Sequence, residues 1–307
     1  MNKKISIVIP NYNGRNLFMK NLPEVLKAAR GAEIIVVDDA SEDDSVAMLR
    51  KNFPHINVLQ SETNRGFSTA VNKGVMAAKG ELVLLLNSDV YPETDFLEYL
   101  LPHFVDNKVF AVGCLQKSEE EKNRTVQRGR GIGEFKNGFL IHSKGKPDKK
   151  NTLWVSGGAG IFRKDLWNDL GGLREIYDPF YWEDIDLSYR ALKAGYKVAF
   201  EPKSTVWHKQ STGAIRNKYD SSRIKAISYR NQILFVWMNI TDFGLLINHL
   251  LYLVYITSKS IIKIDKSFIS GLLQAIVRLP QAMVERFKFK SMIKIKDEQI
   301  FLLFKKD

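Results

Sequence analysis

Short runs of hydrophobic residues alternate with more polar stretches along the first part of the chain. The runs occupy residues 5–9, 34–37, 56–59, 82–86 and 110–115. Uninterrupted apolar runs of this length are typical of parallel strands buried on both faces, and 82–86 is bounded by Gly80 and Pro92 as such a strand should be. Helices are predicted between the runs, at 17–29, 42–51, 67–79 and 92–105. The alternation predicts an α/β fold with a mostly parallel central sheet flanked by helices.

Polar residues stand at the carboxyl ends of three of these predicted strands. They are Asn11 and Tyr12, Asp38 and Asp39, and Asn87, Ser88 and Asp89. A doubly wound sheet brings these ends to one edge, where ligands bind. A carboxylate there is well placed to hold a divalent cation against a diphosphate, although a simple Asx-type turn would also explain 87–89. No GxGxxG follows the first strand and the chain has no GxxxxGK[ST], which excludes the dinucleotide fingerprint and the P-loop.

The segment 117–150 is polar and contains glycines. A segment of this length is either a solvated, mobile loop or a flap over a substrate site that becomes ordered when the substrate binds. At 154–162, small residues open into a predicted strand. Gly157 and Gly158 either let the backbone approach a ligand closely or mark a strand bulge.

Three acids precede a helical pattern in the segment 180–192. They are Glu183, Asp184 and Asp186. Acids at a helix N-terminus can simply stabilise the helix dipole. The aromatic residues at 180–182 argue for more, because a carboxylate half in an apolar setting has its pKa raised towards the range of a general base. Asp186 is expected to orient the helix or to pair with Arg190.

Charge separates the last third of the chain from the rest. The net charge is +12, and residues 1–208 carry 29 Lys and Arg against 27 Asp and Glu, while 209–307 carry 17 against 7. Long apolar runs, rather than interleaved aromatic residues and glycines, accompany these cations. A basic segment of that kind favours an anionic membrane surface. Nucleic-acid binding by the tail is the alternative, and the near-neutral first two thirds argue against it.

The C-terminal third is predicted to form helices that lie in the membrane interface. Residues 243–256 are nearly all apolar but number about 14, fewer than the ~20 of a spanning helix. Residues 268–287 are amphipathic, and 288–306 alternate Lys with apolar residues. The alternatives are a helical cap on the catalytic domain, a dimerisation surface, or a true span from 234 to 256 interrupted by Asp242.

Cysteine content and the N-terminus bear on the compartment. Cys114 is the single cysteine, so an internal disulfide framework and a multi-cysteine zinc site are excluded. We expect it to be a core residue. The apolar run 5–9 is too short for a signal peptide, and a cytoplasmic location is expected.

Seven motifs together carry a family resemblance. In chain order they are PNYNG, VVDDAS, NRGF, NSDV, VSGGAGIFRK, FYWEDIDLSYR and WHKQSTG. The series resembles family 2 glycosyltransferases of the GT-A fold, and it is most similar to the bacterial rhamnosyltransferase-like members that build surface polysaccharides. It covers roughly residues 4–235. Family members often carry Asp-x-Asp where this chain has Asn87, Ser88 and Asp89, so one strong anionic metal ligand remains and a weaker metal site is expected.

The resemblance implies roles for particular residues. Asp184 is implied as the general base, with Glu183 as the fallback, and Asp89 with His208 as the ligands of Mg²⁺ or Mn²⁺. Lys209 is then a counter-charge for the leaving group. The implied acceptor-binding residues are Gly157, Gly158 and Trp182. The implied nucleotide-sugar-binding residues are Pro10, Asn11, Tyr12, Asp38, Asp39, Asn64, Gly66, Asn87, Ser88 and Asp89.

The sequence therefore predicts an inverting, metal-dependent glycosyltransferase that moves a sugar from dTDP-rhamnose or a UDP-sugar to a lipid-linked cell-surface glycan. Residues 1–212 are expected to form the GT-A catalytic domain, with a nucleotide-sugar-binding half at 1–115 and an acceptor half at 116–212. Residues 213–307 are expected to form a basic, apolar helical extension that holds the protein at the inner face of the cell membrane. Because Asn87 stands where family members often have the first Asp of Asp-x-Asp, a catalytically silent nucleotide-sugar-binding protein is the alternative.

Overall fold

The computed structural model describes residues 4–120, 124–208 and 218–305. The strands are β1 (Ile5–Asn11), β2 (Glu33–Asp38), β3 (Asn57–Gln60), β4 (Leu82–Leu86), β5 (Val90–Pro92), β6 (Val109–Glu120), β7 (Arg124–Arg128), β8 (Gly131–Lys136), β9 (Phe139–Lys144), β10 (Ala159–Arg163) and β11 (Lys197–His208). The helices are α1 (Arg15–Ala29), α2 (Ser45–Asn52), α3 (Phe67–Ala77), α4 (Phe96–Leu100), α5 (Lys164–Asp169), α6 (Glu183–Lys193), α7 (Ser221–Asn239), α8 (Phe243–Ile262), α9 (Lys266–Val277), α10 (Leu279–Phe289) and α11 (Asp297–Leu302). Short 3₁₀ helices lie at Leu101–Val105, Glu175–Tyr177 and Lys290–Met292.

One mixed sheet organises the molecule, in the order β3-β2-β1-β4-β10-β6-β11-β5, with β7 paired to β6. The strands β3, β2, β1 and β4 run parallel, and β10 is antiparallel to both β4 and β6. The predicted α/β fold with helices on both faces is confirmed. The parallel half brings the carboxyl ends of β1, β2 and β4 to one edge.

Strand β4 is buried on both faces, as its sequence predicts. All five of its residues are fully inaccessible to solvent. Val83 and Leu85 belong to one hydrophobic core and Leu82, Leu84 and Leu86 to the other. Because side chains alternate along a strand, a continuous apolar run is what a strand between two cores requires. Cys114 is buried in the second core, as expected.

Two local predictions are wrong. Of the two alternatives for 117–150, the solvated, mobile loop is wrong, because most of the segment forms strands and the hairpin of β8 and β9 buries Phe139 and Leu140 in the larger core. The flap over a substrate site stays a prediction. The helix predicted at 92–105 is in fact the end of β5, the short helix α4 and a 3₁₀ turn. The sequence carries one signal for this hairpin that the prediction missed: Asn137 and Gly138, with φ values of 53° and 74°, form the two-residue turn between β8 and β9.

Helix α7 is a core helix. Ile233, Leu234 and Phe235 are buried in the larger core together with residues of α6. The chain then leaves the helical conformation at Ile240 and begins α8 at Phe243. The alternative of one span from 234 to 256 is therefore wrong. The expected domain boundary at 212 stays a prediction, although α7 shares its core with the residues before it.

Helices α8, α9 and α10 expose much of their apolar surface. Leu251, Val254 and Ile262 are 69%, 70% and 82% exposed. Within the described ranges, α8 alone is long and apolar enough to cross a membrane by itself. The pair Lys266–Val277 and Leu279–Met292 passes the same test only as one bent unit, with an angle of 61° between its halves.

Candidate active site

A pocket of about 850 Å³ lies where the carboxyl ends of β1, β2 and β4 meet the start of α6. The residues predicted for the site that line it are Pro10, Asn11, Tyr12, Asp39, Asn64, Gly66, Asn87, Ser88, Asp89, Gly157, Gly158, Glu183, Asp184 and His208. Two predicted residues, Asp38 and Trp182, are not in the lining. A cleft of this size suits a nucleotide-sized ligand.

Asp38 lies behind the pocket, where it holds the end of β1. It is fully buried, and its carboxylate accepts hydrogen bonds from Asn11 Nδ2 at 2.8 Å and from Ser41 Oγ at 2.6 Å. Its oxygens are therefore engaged within the protein. Of the two neighbouring acids, Asp39 is the one that reaches the pocket.

Asp39 organises the loop that enters α3. Its carboxylate accepts from the backbone N–H groups of Arg65, at 3.0 Å, and Gly66, at 2.8 Å. Asn64 Nδ2 donates to the backbone oxygen of Asp39 at 3.1 Å. Gly66 has a φ of 104°, a left-handed conformation that a side chain rarely adopts, so the NRGF motif needs glycine there.

Asp178, which the sequence reasoning missed, holds the start of α3 from the other side. It accepts from Ser68 N–H and from Thr69 Oγ1, each at 2.9 Å. Burial raises the pKa of Asp178 to about 6, while these hydrogen bonds act in the opposite direction. The signal that could have found it is a carboxylate directly before Pro179 and the aromatic stretch.

Asp89 and His208 form the pair that could hold a metal ion. His208 Nε2 lies 3.1 Å from Asp89 Oδ2, because His208 pairs with Val90 in the β5–β11 ladder. The other oxygen, Asp89 Oδ1, is buried and has no hydrogen-bond partner among the described residues. The described ranges hold no group of three or more His, Cys, Asp or Glu suited to a metal. One carboxylate and one imidazole fit a divalent ion that takes its remaining ligands from phosphates and water.

Glu183 and Asp184 open helix α6 and line the same pocket. Asp184 Oδ2 accepts from Gly157 N–H at 3.3 Å, and Oδ1 accepts from Ile185 N–H at 2.8 Å. Glu183 is 7% exposed, and its Oε2 has no hydrogen-bond partner in the part of the chain that the structure describes. The two neighbouring carboxyls therefore lie in different environments.

These environments set the order in which the two acids ionise. Burial raises the pKa of Asp184, and the N–H groups of Gly157 and Ile185 oppose that rise. Burial, followed by the charge of Asp184, raises the pKa of Glu183 well above its usual value. Because Asp184 has the hydrogen-bond donors, it takes the negative charge first and Glu183 keeps the proton. Asp184 is thus a carboxylate with a raised pKa that faces the pocket.

Asp186 is a structural acid, and the predicted pair with Arg190 is confirmed. Arg190 Nε donates to it at 2.7 Å and Arg174 Nη1 at 3.0 Å. Burial raises the pKa of Asp186, but the charges of the two arginines outweigh that effect and leave it below its usual value. These ion pairs fix α6 in the core, so the acids at its N-terminus are held in a rigid position.

The turn before α6 is strained. Tyr181 and Trp182 have φ values of 71° and 79°, which are unusual for residues with side chains. Asn231 of α7 holds this turn, since its Nδ2 donates to the backbone oxygens of Phe180 at 3.0 Å and Tyr181 at 2.9 Å. Trp182 is 4% exposed and packs on His142 and Phe235 instead of lining the pocket.

The mouth of the pocket is aromatic and carries a cation. Lys218 Nζ lies 4.3 Å from the centre of the Tyr12 ring and Tyr219 lines the pocket beside it. The sequence reasoning missed both Lys218 and Tyr219, since they follow the last motif. Lys209, which the sequence suggested as a counter-charge, lies outside the described residues.

Known proteins resemble this chain in sequence. Residues 6–171 match the model of the family described as "Glycosyl transferase family 2". Over 221 residues the chain is 30% identical to the pre-mycofactocin glycosyltransferase of Mycobacterium tuberculosis, with 68% of this chain and 43% of that protein covered. It is 24% identical to the O-antigen chain rhamnosyltransferase RfbN of Salmonella typhimurium, with 67% of this chain and 66% of that protein covered. The chain thus spans less than half of the first of these relatives.

Solved structures share the fold. S. aureus TarS in complex with UDP-GlcNAc superposes with a TM-score of 0.60 and 18% identity, and 99% of this chain and 90% of that chain are covered. GalNAc-T7 with UDP, GalNAc and Mn²⁺ gives a TM-score of 0.62 at 17% identity, with 77% of this chain and 48% of that chain covered. At these identities the likeness establishes the fold and leaves the ligands of this chain open.

Proposed function

Since this chain belongs to glycosyl transferase family 2, we propose that it transfers a sugar from a nucleotide-sugar to an acceptor hydroxyl with inversion at the anomeric carbon. The observation that carries the proposal is one pocket lined both by a carboxylate with a raised pKa and by a carboxylate–imidazole pair suited to a metal ion. Asp184 lies at the start of α6, and Asp89 with His208 lies beyond β4. An inverting transfer needs a base on the side of the acceptor and charge stabilisation on the side of the leaving group.

The proposed chemistry is a single displacement. Asp184 takes the proton from the acceptor hydroxyl while the hydroxyl oxygen attacks the anomeric carbon. The bond from that carbon to the diphosphate oxygen breaks, and the nucleoside diphosphate leaves with the electron pair. The raised pKa of Asp184 makes it a better proton acceptor than an exposed aspartate while it still ionises before Glu183.

The donor is proposed to bind over β1 and β2. Tyr12 and Asn11 lie at the end of β1, and Asp39 lines the wall beside Asn64. Lys218 at the mouth supplies positive charge for the diphosphate. We propose dTDP-rhamnose or a UDP-sugar as the donor, which the resemblance to RfbN and the UDP-GlcNAc complex of TarS support without fixing the sugar.

We propose that Asp89 and His208 hold Mg²⁺ or Mn²⁺ when the donor is bound. The buried, partnerless oxygen Asp89 Oδ1 and the nearby imidazole support this assignment. The ion supplies a positive charge that stabilises the leaving diphosphate. Mn²⁺ accompanies UDP in the GalNAc-T7 structure, which has the same fold.

The acceptor is proposed to be a lipid-linked glycan at the inner face of the cell membrane. The excess of cations after residue 209 and the exposed apolar residues of α8 to α10 support a position against an anionic lipid surface. Gly157 and Gly158 line the pocket, and we propose that their backbone contacts the acceptor. No nucleic-acid partner is proposed.

Nucleoside diphosphate release tests the proposal. The purified protein is incubated with dTDP-, UDP- and GDP-sugars in Mg²⁺ or Mn²⁺, and release is compared with and without a chelator. Release from one donor, lost on chelation and in Asp89→Ala, is the expected result. Metal-dependent binding of a donor without release, even with membrane extracts as a source of acceptor, would instead support the silent-binding alternative.

A further inference from the structure

A second cavity lies beneath helix α8, between the catalytic core and the exposed C-terminal surface. Its volume is about 200 Å³. The side chains that line it are mostly aromatic and aliphatic, and they include Phe139, Ile141, Tyr229, Tyr252, Ile256 and Phe268. An apolar cavity of about 150 Å³ is already large enough to stay dry and to bind a benzene-sized group. This cavity is therefore suited to a hydrocarbon ligand.

Helix α8 separates the cavity from a second apolar surface. Tyr252 and Ile256, one turn apart, face the cavity. Leu251, Val254 and Tyr255 lie on the other sides of the same helix and are 69%, 70% and 53% exposed. Apolar side chains on two sides of a helix need an apolar environment on both sides. Protein supplies it on the cavity side, and lipid would supply it on the other.

Cations lie around the C-terminal end of helix α8. Lys259 in its last turn, Lys263 in the connection and Lys266 at the start of α9 are all exposed. The exposed apolar residues Ile261 and Ile264 lie between them. Cations interleaved with apolar side chains match a surface that presents phosphate groups above hydrocarbon. The charge at this end favours an anionic lipid over a neutral apolar ligand.

The cavity is connected to the active site through α7 and β9. On α7, Tyr229 and Gln232 line the cavity, while Asn231 between them holds the Phe180–Tyr181 backbone of the catalytic pocket. On β9, Ile141 lines the cavity, and the next residue, His142, packs with its ring centre 5.2 Å from that of Trp182, directly before the catalytic acids. The same two elements therefore line the cavity and contact the turn that precedes the catalytic acids.

We propose that this cavity binds part of the hydrocarbon chain of the lipid-linked acceptor. The chain would enter from the lipid side of α8, and its phosphate would remain near the lysines of the α8–α9 turn. The acceptor sugar, beyond the phosphate, would then lie towards the pocket that holds Asp184. This inference rests on the proposed transfer to a lipid-linked glycan. It means that the hydrocarbon chain of the acceptor lies partly in a protein cavity and partly in the bilayer.

Photo-crosslinking tests the site directly. The full chain is bound to vesicles of phosphatidylcholine and phosphatidylglycerol that contain decyl phosphate with a diazirine on its chain. After irradiation, labelled peptides are mapped by mass spectrometry. We expect label on the peptides that carry Tyr229 and Tyr252. A parallel sample has the diazirine on the acyl chain of phosphatidylglycerol, and we expect far less label in the cavity from this bulk lipid.

Matched tryptophan substitutions provide the control. Ile256→Trp fills the cavity, and Ile262→Trp adds the same side chain on the same helix at a position that is 82% exposed. Cavity labelling is expected to fall by roughly tenfold or more in Ile256→Trp, because each methylene group kept out of an apolar site weakens binding by about fourfold. It should be unchanged in Ile262→Trp. Ile141→Trp fills the cavity from β9 and serves if Ile256→Trp fails to fold.

Two results would overturn the inference. One is equal labelling of the cavity peptides in the filled variants and in Ile262→Trp, and the other is equal labelling by phosphatidylglycerol, which would mean that the cavity takes any membrane chain. Labelling does not require turnover. A protein that releases nucleoside diphosphate but shows either result loses this inference and keeps the proposed function, whereas a protein that releases none loses the proposed function irrespective of the label.

Discussion

His208 lies beside Asp89, with Nε2 and Oδ2 3.1 Å apart, although 119 residues separate the two in the sequence. The contact arises because β11 returns along β5 and pairs His208 with Val90. The ladder therefore places an imidazole next to the one carboxylate that the Asn87-Ser88-Asp89 motif retains. Since Asp89 Oδ1 has no partner within the described ranges, the pair has capacity for a further ligand.

Asn87→Asp should tighten divalent metal binding. A second carboxylate at this position would add negative charge to the pair of Asp89 and His208, and affinity for a divalent cation rises with the charge of its ligands. Isothermal titration with Mn²⁺ in the presence of a nucleoside diphosphate measures the change, which we expect to be about tenfold. Asn64→Asp, on another wall of the pocket, is the control for added charge alone. An equal gain in both variants would contradict a role for Asn87 at the metal.

Gly158→Ala should impair donor binding. A Cβ at Gly158 would overlap the amide of Asn87, and it would lie 2.7 Å from Asn87 Cγ. The side chain of Asn87 must then move, which disturbs the wall that carries Asp89. Donor affinity measured by titration should fall at least about fivefold, equal to roughly 1 kcal/mol. Gly244→Ala, where a Cβ meets nothing within 4 Å, is the matched control and should leave affinity unchanged.

Asp184→Asn should abolish turnover and preserve donor binding. Loss of a general base costs on the order of 10²–10⁴-fold in rate. Stopped assays of nucleoside diphosphate release give kcat, and titration gives the donor affinity. Glu183→Gln is the comparison, because burial and the charge of Asp184 raise the pKa of Glu183 well above its usual value, which favours the neutral carboxyl that an amide replaces. If Glu183→Gln loses as much activity as Asp184→Asn, the assignment of the base to Asp184 is wrong.

The pH dependence of stability should change in Asp178→Asn. The pKa of Asp178 is raised from 3.8 to about 6 in the folded protein, so the folded state binds this proton more tightly than the unfolded state does. Its contribution to stability is fully present below about pH 4 and is lost as the pH rises towards 6, by at most roughly 3 kcal/mol at 1.36 kcal/mol per pKa unit. Denaturant unfolding from pH 4 to 7 measures this. The advantage of the wild type over Asp178→Asn should shrink across that range, and a constant difference would contradict the raised pKa.

Asp297→Ala should strongly destabilise the fold. Asp297 is fully buried, and its carboxylate accepts from Lys193 Nζ and from Tyr189 OH, each at 2.7 Å. Removing one partner of a buried ion pair costs about 3–5 kcal/mol, because the other charge stays buried. Denaturant unfolding should show that loss, while the exposed neighbour Glu298→Ala should change stability by less than about 0.5 kcal/mol. The double variant Lys193→Met with Asp297→Leu should recover part of the loss, since neither charge then remains.

Much of the fold could be predicted because burial leaves a local pattern. Strand β4 lies between two cores, and its five consecutive apolar residues follow from burial on both faces. The polar residues at the ends of β1 and β4 could be assigned to one edge because parallel strands share their direction. The hairpin β8–β9 could have been predicted only from its Asn137-Gly138 turn, since its strands bury few residues and resemble a polar loop in composition.

The sequence by itself determined two features: an edge of the sheet with acidic residues suited to a metal, and a helix with three acids at its N-terminus. Each could be predicted because it depends on residues close together in the chain. Only the tertiary structure decided how they are used. Asp38 and Asp39 are adjacent in the chain, yet hydrogen bonds from Asn11 and Ser41 keep the first behind the pocket. Asn231 looks out of place in a buried helix until the backbone oxygens at Phe180 and Tyr181 are brought to it. Hydrogen-bond partners that lie far apart in the chain leave no periodic signal in the sequence. These partners determine which carboxylates line the pocket and which stabilise the fold.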